Sequence, residues 1–240
     1  MKIFKGIFFG AILFSTTLMA QLQPVQYKDG SQILNGLSIK PNKSSAQKPG
    51  VLVLPAWKGI DAHAKSTAEN LSKLGYYAFV ADIYGEGNYP QTTADAAKMA
   101  GFYKKNTELY HKRIELALAQ LIQSGANPDN IAVIGFCFGG TGAIEAARAN
   151  MNVKGVVSFH GGLGKDANRA VTSITAKVLA CHGADDPFNF FINANILLNM
   201  FILAGSISLI FSTILIISHR RGNESRNILI AWSIRISNIS

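Results

Sequence analysis

Cysteine, proline and charge are all scarce in this sequence, and each shortage excludes a class of protein. Two cysteines and seven prolines in 240 residues exclude a disulfide-stapled mini-protein and a collagen-like repeat. A hydrophobic share of 48% excludes a disordered chain, because such chains bury too little apolar surface. Charged residues make up only 15%, below the ~25% of an average globular protein. The length fits one large domain or two small ones.

Positive charge is in excess, but it is spread along the chain. The formal net charge is +9, of which +2 falls in residues 1–20, +4 in 21–188 and +3 in 189–240. This distribution predicts no concentrated basic face, so we expect no nucleic-acid partner.

Residues 1–20 have the pattern of a secretory signal peptide. Lys2 and Lys5 precede an apolar run from Ile7 to Leu13, and the segment Ser15-Thr-Thr-Leu-Met-Ala20, with a small residue last, matches a cleavage region. The apolar run is shorter than the ~20 residues that a spanning helix needs, which makes a membrane anchor the less favoured alternative. We therefore expect export to the periplasm or the medium, with cleavage near Ala20.

Residues 21–188 alternate between short apolar runs and helical patterns. We predict five buried strands, at Val51–Leu54, Tyr77–Val80, Ile131–Ile134, Val156–Phe159 and Val178–Cys181. Helices are predicted after a cap at Asp61, over Asn106–Ser124, with Lys112 and Arg113 on its solvated face, and over Gly140–Ala149. Apolar strands without alternation, separated by helices, indicate an α/β fold with a doubly wound, mostly parallel sheet.

Residues 189–240 differ in composition from the rest of the chain. Ile196–Ile217 gives 22 mostly apolar residues, followed by His219, Arg220 and Arg221. This pattern is typical of a transmembrane helix with a positive stop, so membrane association through 196–217 is one interpretation. An altered reading frame is another, because Ile, Asn and Ser are common in out-of-frame AT-rich DNA.

The hexapeptide from Gly135 to Gly140, Gly-Phe-Cys-Phe-Gly-Gly, follows a predicted strand and opens a predicted helix. A nucleophile elbow needs this context, because glycines on either side of the nucleophile allow the sharp turn. The turn would raise Cys137 above the sheet at a helix N-terminus, where aligned N–H groups favour a thiolate. The alternative is a buried cysteine in a glycine-rich crossover.

A second motif, His182-Gly-Ala-Asp-Asp-Pro187, directly follows the strand ending at Cys181. A carboxylate in a loop after a late strand is placed to orient a catalytic base. Asp185 and Asp186 compete for this role, and we prefer Asp186, which precedes a proline. His182 is interpreted as a structural histidine, and Cys181 as a core residue rather than a disulfide partner.

These two motifs, with Ala81-Asp-Ile-Tyr-Gly-Glu-Gly87 after Gly75-Tyr-Tyr77, resemble those of dienelactone hydrolases over roughly residues 25–188. The resemblance implies an α/β-hydrolase fold, no metal, no cofactor, and a Cys-His-Asp triad acting on a small-molecule ester or lactone. It implies Cys137 as nucleophile and Asp186 as the acid. The N–H groups of Phe138 and Trp57 would form the oxyanion hole. Trp57 and Tyr84 either line a substrate pocket or pack in the core.

Two departures from the family pattern affect the predicted triad. Many dienelactone hydrolases have a glutamate where Ala56 stands, and it holds the resting thiol. The family's histidine follows the acid at a distance close to that of His219, which lies 33 residues after Asp186. His219 is therefore the candidate base. It is followed by Arg-Arg-Gly in a tail without the expected charges, which favours a tail foreign to the fold.

Two functions follow from this sequence. The first is an exported, cysteine-dependent hydrolase of an ester or lactone. The second is a catalytically impaired, hydrolase-like protein that lacks the triad histidine and is tethered to a membrane. The intact Gly-x-Cys-x-Gly favours the first, and the unusual residues 189–240 favour the second.

Overall fold

The computed structural model describes residues 20–165, 168–170 and 172–182, together with the backbone of 215–217 and 229–231. Residues 1–19, which hold most of the predicted signal peptide, lie outside the described residues. So do Asp185, Asp186 and His219.

Seven strands form one sheet in the order β1-β2-β4-β3-β5-β6-β7. The strands are β1 Gln23–Asp29, β2 Gln32–Ile39, β3 Gly50–Leu54, β4 Tyr77–Val80, β5 Ile131–Phe136, β6 Gly155–Phe159 and β7 Lys177–Cys181. Strands β3 to β7 are parallel, and β1 and β2 pair antiparallel at one edge. The mostly parallel α/β sheet and the five predicted strands are confirmed, although Phe159 at the end of β6 is exposed.

The β1–β2 hairpin escaped the sequence prediction for a physical reason. Strand β1 lies at the edge of the sheet, where only its Tyr27 is buried, and in β2, between β1 and β4, buried and half-buried residues mostly alternate. They therefore lack the continuous apolar run that marks a strand covered on both faces. The two strands turn at Gly30, whose φ of 59° lies in the left-handed region that glycine adopts without strain.

Four helices connect the parallel strands: α1 Ala62–Lys73, α2 Thr93–Lys105, α3 Thr107–Gln123 and α4 Phe138–Arg148. The predicted cap at Asp61 is present, because its carboxylate accepts from the Ala64 N–H at 2.9 Å. Helix α2, which was not predicted, begins in a capping box of Thr92 and Asp95. Each cap satisfies N–H groups that have no partner within the helix.

The helices cover the two faces of the sheet. Helix α1 packs on β3 and β4, where its buried Ala64 and Ala68 meet Val53, Ala78 and Val80. Helices α3 and α4 lie on the opposite face and bury the larger core. This core holds most of the large buried side chains, including Leu52, Leu54, Phe79, Tyr110, Ile114, Phe138 and Ile144.

Arg113 corrects the prediction of a fully solvated face on α3. Its side chain is buried, and its Nε donates to Asp29 Oδ2 at 2.8 Å. Lys112 contacts the other oxygen of Asp29 from a more exposed position. The hydrogen bond from Lys112 contributes most to lowering the pKa of Asp29, although burial opposes it. This ion pair fastens α3 to the end of β1.

The described part of the tail is a pair of short strands. Strand β8 Leu215–Ile217 lies beside β7, but it pairs only with β9 Leu229–Ala231, in a separate two-stranded sheet. The last three residues of the predicted transmembrane segment 196–217 are therefore extended rather than helical. Within the described residues, no helix is long and apolar enough to cross a membrane.

Glu145, two turns into α4, is a buried carboxylate that holds the neighbouring loop. Arg148 and Arg169 both donate to it, and His111 Nε2 lies 3.0 Å from its Oε2. Arg148 also donates to the carbonyls of residues 163 and 164. Burial alone would raise the pKa of Glu145, but the three hydrogen bonds outweigh burial and lower it to about 2.

We predict that Glu145→Gln lowers the free energy of unfolding at pH 7 by about 1–3 kcal/mol, because two arginines lose a charged acceptor. Since the folded pKa is about 2 and a free glutamate titrates near ~4.3, the wild type loses this stability as pH falls from about 4 to about 2. The difference in the free energy of unfolding between the wild type and Glu145→Gln should therefore be smaller at pH 3 than at pH 7.

Denaturant melts at pH 7 and pH 3 measure both effects. Glu115→Gln on α3 is the matched control, because Glu115 is exposed and its loss should change stability by less than about 0.5 kcal/mol. A Glu145→Gln protein as stable as the control at pH 7 would show that the network contributes nothing.

Candidate active site

Cys137 lies at the sharp turn between β5 and α4. Its φ of 54° and ψ of −111° place a non-glycine residue in a strained region of backbone space, as is typical of functional sites. The Cys137 N–H donates to the Phe159 carbonyl at 2.8 Å, and its own carbonyl accepts from the Thr141 N–H at 3.1 Å. The strained residue is thus fixed from both sides, and its side chain is half-buried.

Two glycines make this turn sterically possible. A Cβ on Gly135 would lie 1.9 Å from the Gly139 carbonyl oxygen. A Cβ on Gly139 would lie 2.1 Å from the Leu54 oxygen and 2.6 Å from the Pro55 oxygen. No side chain fits in either place, so the start of α4 packs its backbone directly on the end of β3. This is the geometry that the Gly-x-Cys-x-Gly spacing predicts.

The first turn of α4 is also fastened to the loop that follows β6. A Cβ on Gly140 would lie 2.9 Å from Gly161 Cα, so these two backbones touch. Thr141 Oγ1 accepts from the Gly162 N–H at 2.9 Å. Elbow, helix and loop therefore form one rigid assembly at the carboxyl ends of the strands.

Phe138, the first predicted oxyanion donor, begins α4. Its ring is buried and stacks between Tyr110, at 4.7 Å and 5°, and Tyr84, at 5.7 Å and 12° between planes. The Tyr110 hydroxyl donates to the Phe138 carbonyl at 2.9 Å. The residue after the nucleophile is thus held by both its ring and its backbone.

Trp57, the second predicted donor, lies in the segment after β3. The Gly59 N–H donates to the Ala56 carbonyl at 2.9 Å and closes a tight turn around Trp57. Because Gly139 packs on Leu54 and Pro55, this turn adjoins the elbow. Ala56 is half-buried and offers no carboxylate to the thiol.

Tyr84 packs against Trp57 and Phe138 in the core and does not line an open pocket. It is only 2% exposed, and its hydroxyl donates to the Trp57 carbonyl at 2.7 Å. Of the two predicted roles for Tyr84, lining a substrate pocket or packing in the core, the structure shows packing in the core. In the sequence, the sign that Tyr84 belongs to this site was its place in the Asp82-Ile-Tyr84 motif.

Cys181 ends β7 at the same edge of the sheet, and His182 follows it. Cys181 is a half-buried free thiol, and burial raises its pKa. His182 is 4% exposed, which fits its interpretation as a structural histidine. Asp186 and His219, predicted as acid and base, lie outside the described residues. In the described part of the chain, no cluster of ligating side chains suits a metal ion.

We predict that Gly139→Ala lowers the free energy of unfolding by at least about 1–3 kcal/mol, because overpacking a dense site forces the backbone apart. Gly101→Ala is the matched control. Gly101 lies inside α2, and a Cβ there would meet no described atom within 4 Å outside the backbone of its own helix. This control should gain up to about 1 kcal/mol of stability. Thermal melts measure the stability of Gly139→Ala and Gly101→Ala. Equal stability of the two variants would contradict the account of close packing at Gly139.

The comparisons with known proteins agree with this geometry. The sequence profile of the dienelactone hydrolase family matches residues 34–201, which extends into the unusual tail. A Bradyrhizobium protein named as a 2-oxo-3-(5-oxofuran-2-ylidene)propanoate lactonase is 29% identical over 58% of this chain and 60% of its own length. An Aquifex aeolicus protein named as a carboxymethylenebutenolidase is 29% identical over 47% of this chain and 51% of its own length. The chain thus spans about half to three fifths of these curated relatives.

Two kinds of solved structure resemble the chain. A dienelactone hydrolase-like promiscuous phosphotriesterase from metagenomic libraries is 32% identical, with a TM-score of 0.70 and coverage of 78% of both chains. An acylaminoacyl peptidase of Pyrococcus horikoshii, only 14% identical over 87% of this chain and 38% of its own, shares the fold with a TM-score of 0.62. With the family profile covering most of the sequence, the chain belongs to the dienelactone hydrolase family, whose members are hydrolases of α/β fold.

Proposed function

We propose that this chain is a cysteine-dependent hydrolase that cleaves an ester or lactone. The observation that carries the proposal is the conformation of Cys137, a half-buried thiol at positive φ on the turn into α4. A cysteine is held in such a strained position at a functional site far more often than in a plain core. The names of the lactonase and carboxymethylenebutenolidase relatives support an ester or lactone as substrate.

The proposed reaction begins with attack on the carbonyl carbon. The base takes the proton of the Cys137 thiol, the sulfur forms a C–S bond with the carbonyl carbon, and the carbonyl π electrons move onto oxygen. The N–H at the start of α4, on Phe138, and the N–H of Trp57 would stabilise this oxyanion. Donors that are already in place cost no reorganisation when the charge develops. Collapse of the intermediate breaks the C–O bond, and the leaving alcohol takes a proton from the base.

The second half-reaction releases the acid. The base removes a proton from water, whose oxygen attacks the thioester carbonyl, and the C–S bond breaks to regenerate the thiolate. His219 is the proposed base and Asp186 the acid that orients it. Because Ala56 offers no carboxylate to hold the resting thiol, we assign deprotonation of Cys137 in this chain to that base.

We predict that hydrolysis of a p-nitrophenyl ester by the full chain falls by at least about 10³-fold in Cys137→Ala, as deletion of a nucleophile does in triad enzymes. The matched control is Cys181→Ala, which removes the other half-buried thiol from the same edge of the sheet. It should keep most of the activity.

His219→Ala and Asp186→Asn identify the remaining members of the triad. Equal loss in Cys137→Ala and His219→Ala would assign His219 as the base. Activity that persists in Cys137→Ala would contradict the proposal. An inactive wild type would favour the impaired, hydrolase-like protein instead.

A further inference from the structure

One buried tyrosine contacts both residues whose N–H groups are proposed to hold the oxyanion. The Tyr84 hydroxyl donates to the Trp57 carbonyl at 2.7 Å. The Tyr84 ring lies parallel to the Phe138 ring, with centroids 5.7 Å apart and planes 12° apart. These two residues are remote in sequence, on the loop after β3 and at the start of α4, and Tyr84 connects them.

Tyr84 is itself held by a buried carboxylate. Asp82 Oδ1 accepts from the N–H groups of Tyr84, at 3.1 Å, and Gly85, at 2.9 Å. Its Oδ2 accepts from the Asn35 N–H and the Tyr89 hydroxyl, both at 2.8 Å. Asp82 is 2% exposed, so these bonds form in a medium that strengthens them. The loop that presents Tyr84 is therefore fixed before any substrate arrives.

The Tyr84 hydroxyl remains a hydrogen-bond donor across the working pH range. Burial, followed by the charges of Tyr103 and Cys137, raises the pKa of Tyr84 well above its ordinary value. A neutral hydroxyl can donate to a carbonyl, whereas a phenolate cannot.

We infer that Tyr84 is a positioning residue, which holds the N–H groups of Trp57 and Phe138 in the geometry that a developing oxyanion requires. The inference rests on the proposed function, because the oxyanion exists only if Cys137 attacks a carbonyl. A hydrogen bond to the Trp57 carbonyl restricts the Trp57–Lys58 peptide plane, and the bond from the Gly59 N–H to the Ala56 carbonyl restricts the adjacent plane, which carries the Trp57 N–H. The stacked ring meanwhile sets the distance to Phe138.

We expect a large loss in kcat, because N–H donors stabilise an oxyanion only when they point at it from hydrogen-bond distance. Loss of one donor costs about 10²–10³-fold in kcat, and a displacement of 1 Å can cost about 10²-fold. Tyr84→Phe keeps the ring against Phe138 and removes only the bond to Trp57. We expect it to lower kcat by about 10- to 100-fold and to change KM by less than about 2-fold, because the oxyanion is absent from the ground state.

The matched control is Tyr27→Phe. The Tyr27 hydroxyl is also buried and also bonds to backbone, at 3.1 Å from the Asp82 carbonyl oxygen and the Asp82 nitrogen. It supports the same loop, but its hydroxyl bonds to neither oxyanion donor. If Tyr84 merely fills a buried gap, both variants lose stability and neither loses kcat.

The kinetic experiment measures kcat and KM for a p-nitrophenyl ester, and Ki for a trifluoromethyl ketone, with the wild type, Tyr84→Phe and Tyr27→Phe. Addition of a thiolate to this ketone forms a tetrahedral oxyanion. We expect Ki to rise in Tyr84→Phe by a factor similar to the loss in kcat, and to stay constant in Tyr27→Phe. Unchanged kcat and Ki in Tyr84→Phe, beside a wild type that needs Cys137, would overturn the inference and leave the proposed function intact.

A second measurement is independent of turnover. In amide NMR spectra of the full chain, Tyr84→Phe should broaden the Trp57 and Lys58 resonances and speed hydrogen exchange at the Trp57 N–H, whereas Tyr27→Phe should not. If the wild type hydrolyses no ester, the proposed function fails and the positioning of an oxyanion fails with it, even where Trp57 loosens in this way. Unchanged resonances in Tyr84→Phe would overturn the positioning role.

Discussion

The contact of one backbone with another, where α4 meets the end of β3, is the constraint on which the site depends. Gly139 packs so closely on the carbonyls of Leu54 and Pro55 that a single Cβ would lie 2.1 Å from an oxygen. This contact sets the height of Cys137 above the sheet. It also brings the turn that holds Trp57 next to the elbow, so the nucleophile and the proposed oxyanion donors are placed by the same packing.

Aromatic side chains and buried carboxylates stabilise the sharp turn at Cys137 that Gly135 and Gly139 make sterically possible. Tyr84, Phe138 and Tyr110 form a continuous stack next to the elbow, and both tyrosine hydroxyls donate to backbone carbonyls. Asp82 and Glu145 hold the neighbouring loops by several hydrogen bonds each. A buried carboxylate is costly to desolvate unless it is paired in this way. These supports make a strained cysteine sustainable and a preorganised site possible.

The elements and residues that the sequence predicted are those whose signal is local. The residues of the five parallel strands are mostly buried or half-buried, so each strand carries a short apolar run that the sequence shows. The elbow follows from the spacing of its glycines between a strand and a helix. The β1–β2 hairpin is half-exposed and lacked such a run. Arg113 was placed on the solvated face because helical periodicity says nothing of Asp29, which is remote in sequence. The bond from Tyr84 to Trp57 likewise joins two segments that only the fold brings together.

The central claim is that the elbow makes Cys137 the reactive thiol of this chain, and the relative alkylation rates of its two cysteines test this most directly. Both thiols are half-buried and free, so exposure alone does not separate them. Iodoacetamide labelling followed by peptide mass spectrometry gives the alkylation rate of each cysteine. The rates are measured at several pH values between about 6 and 9, the range in which thiols begin to titrate. Because burial raises the pKa of the Cys181 thiol, less of it is thiolate than in an ordinary cysteine, and Cys137 should be labelled first at every pH. Faster labelling of Cys181 would contradict the account.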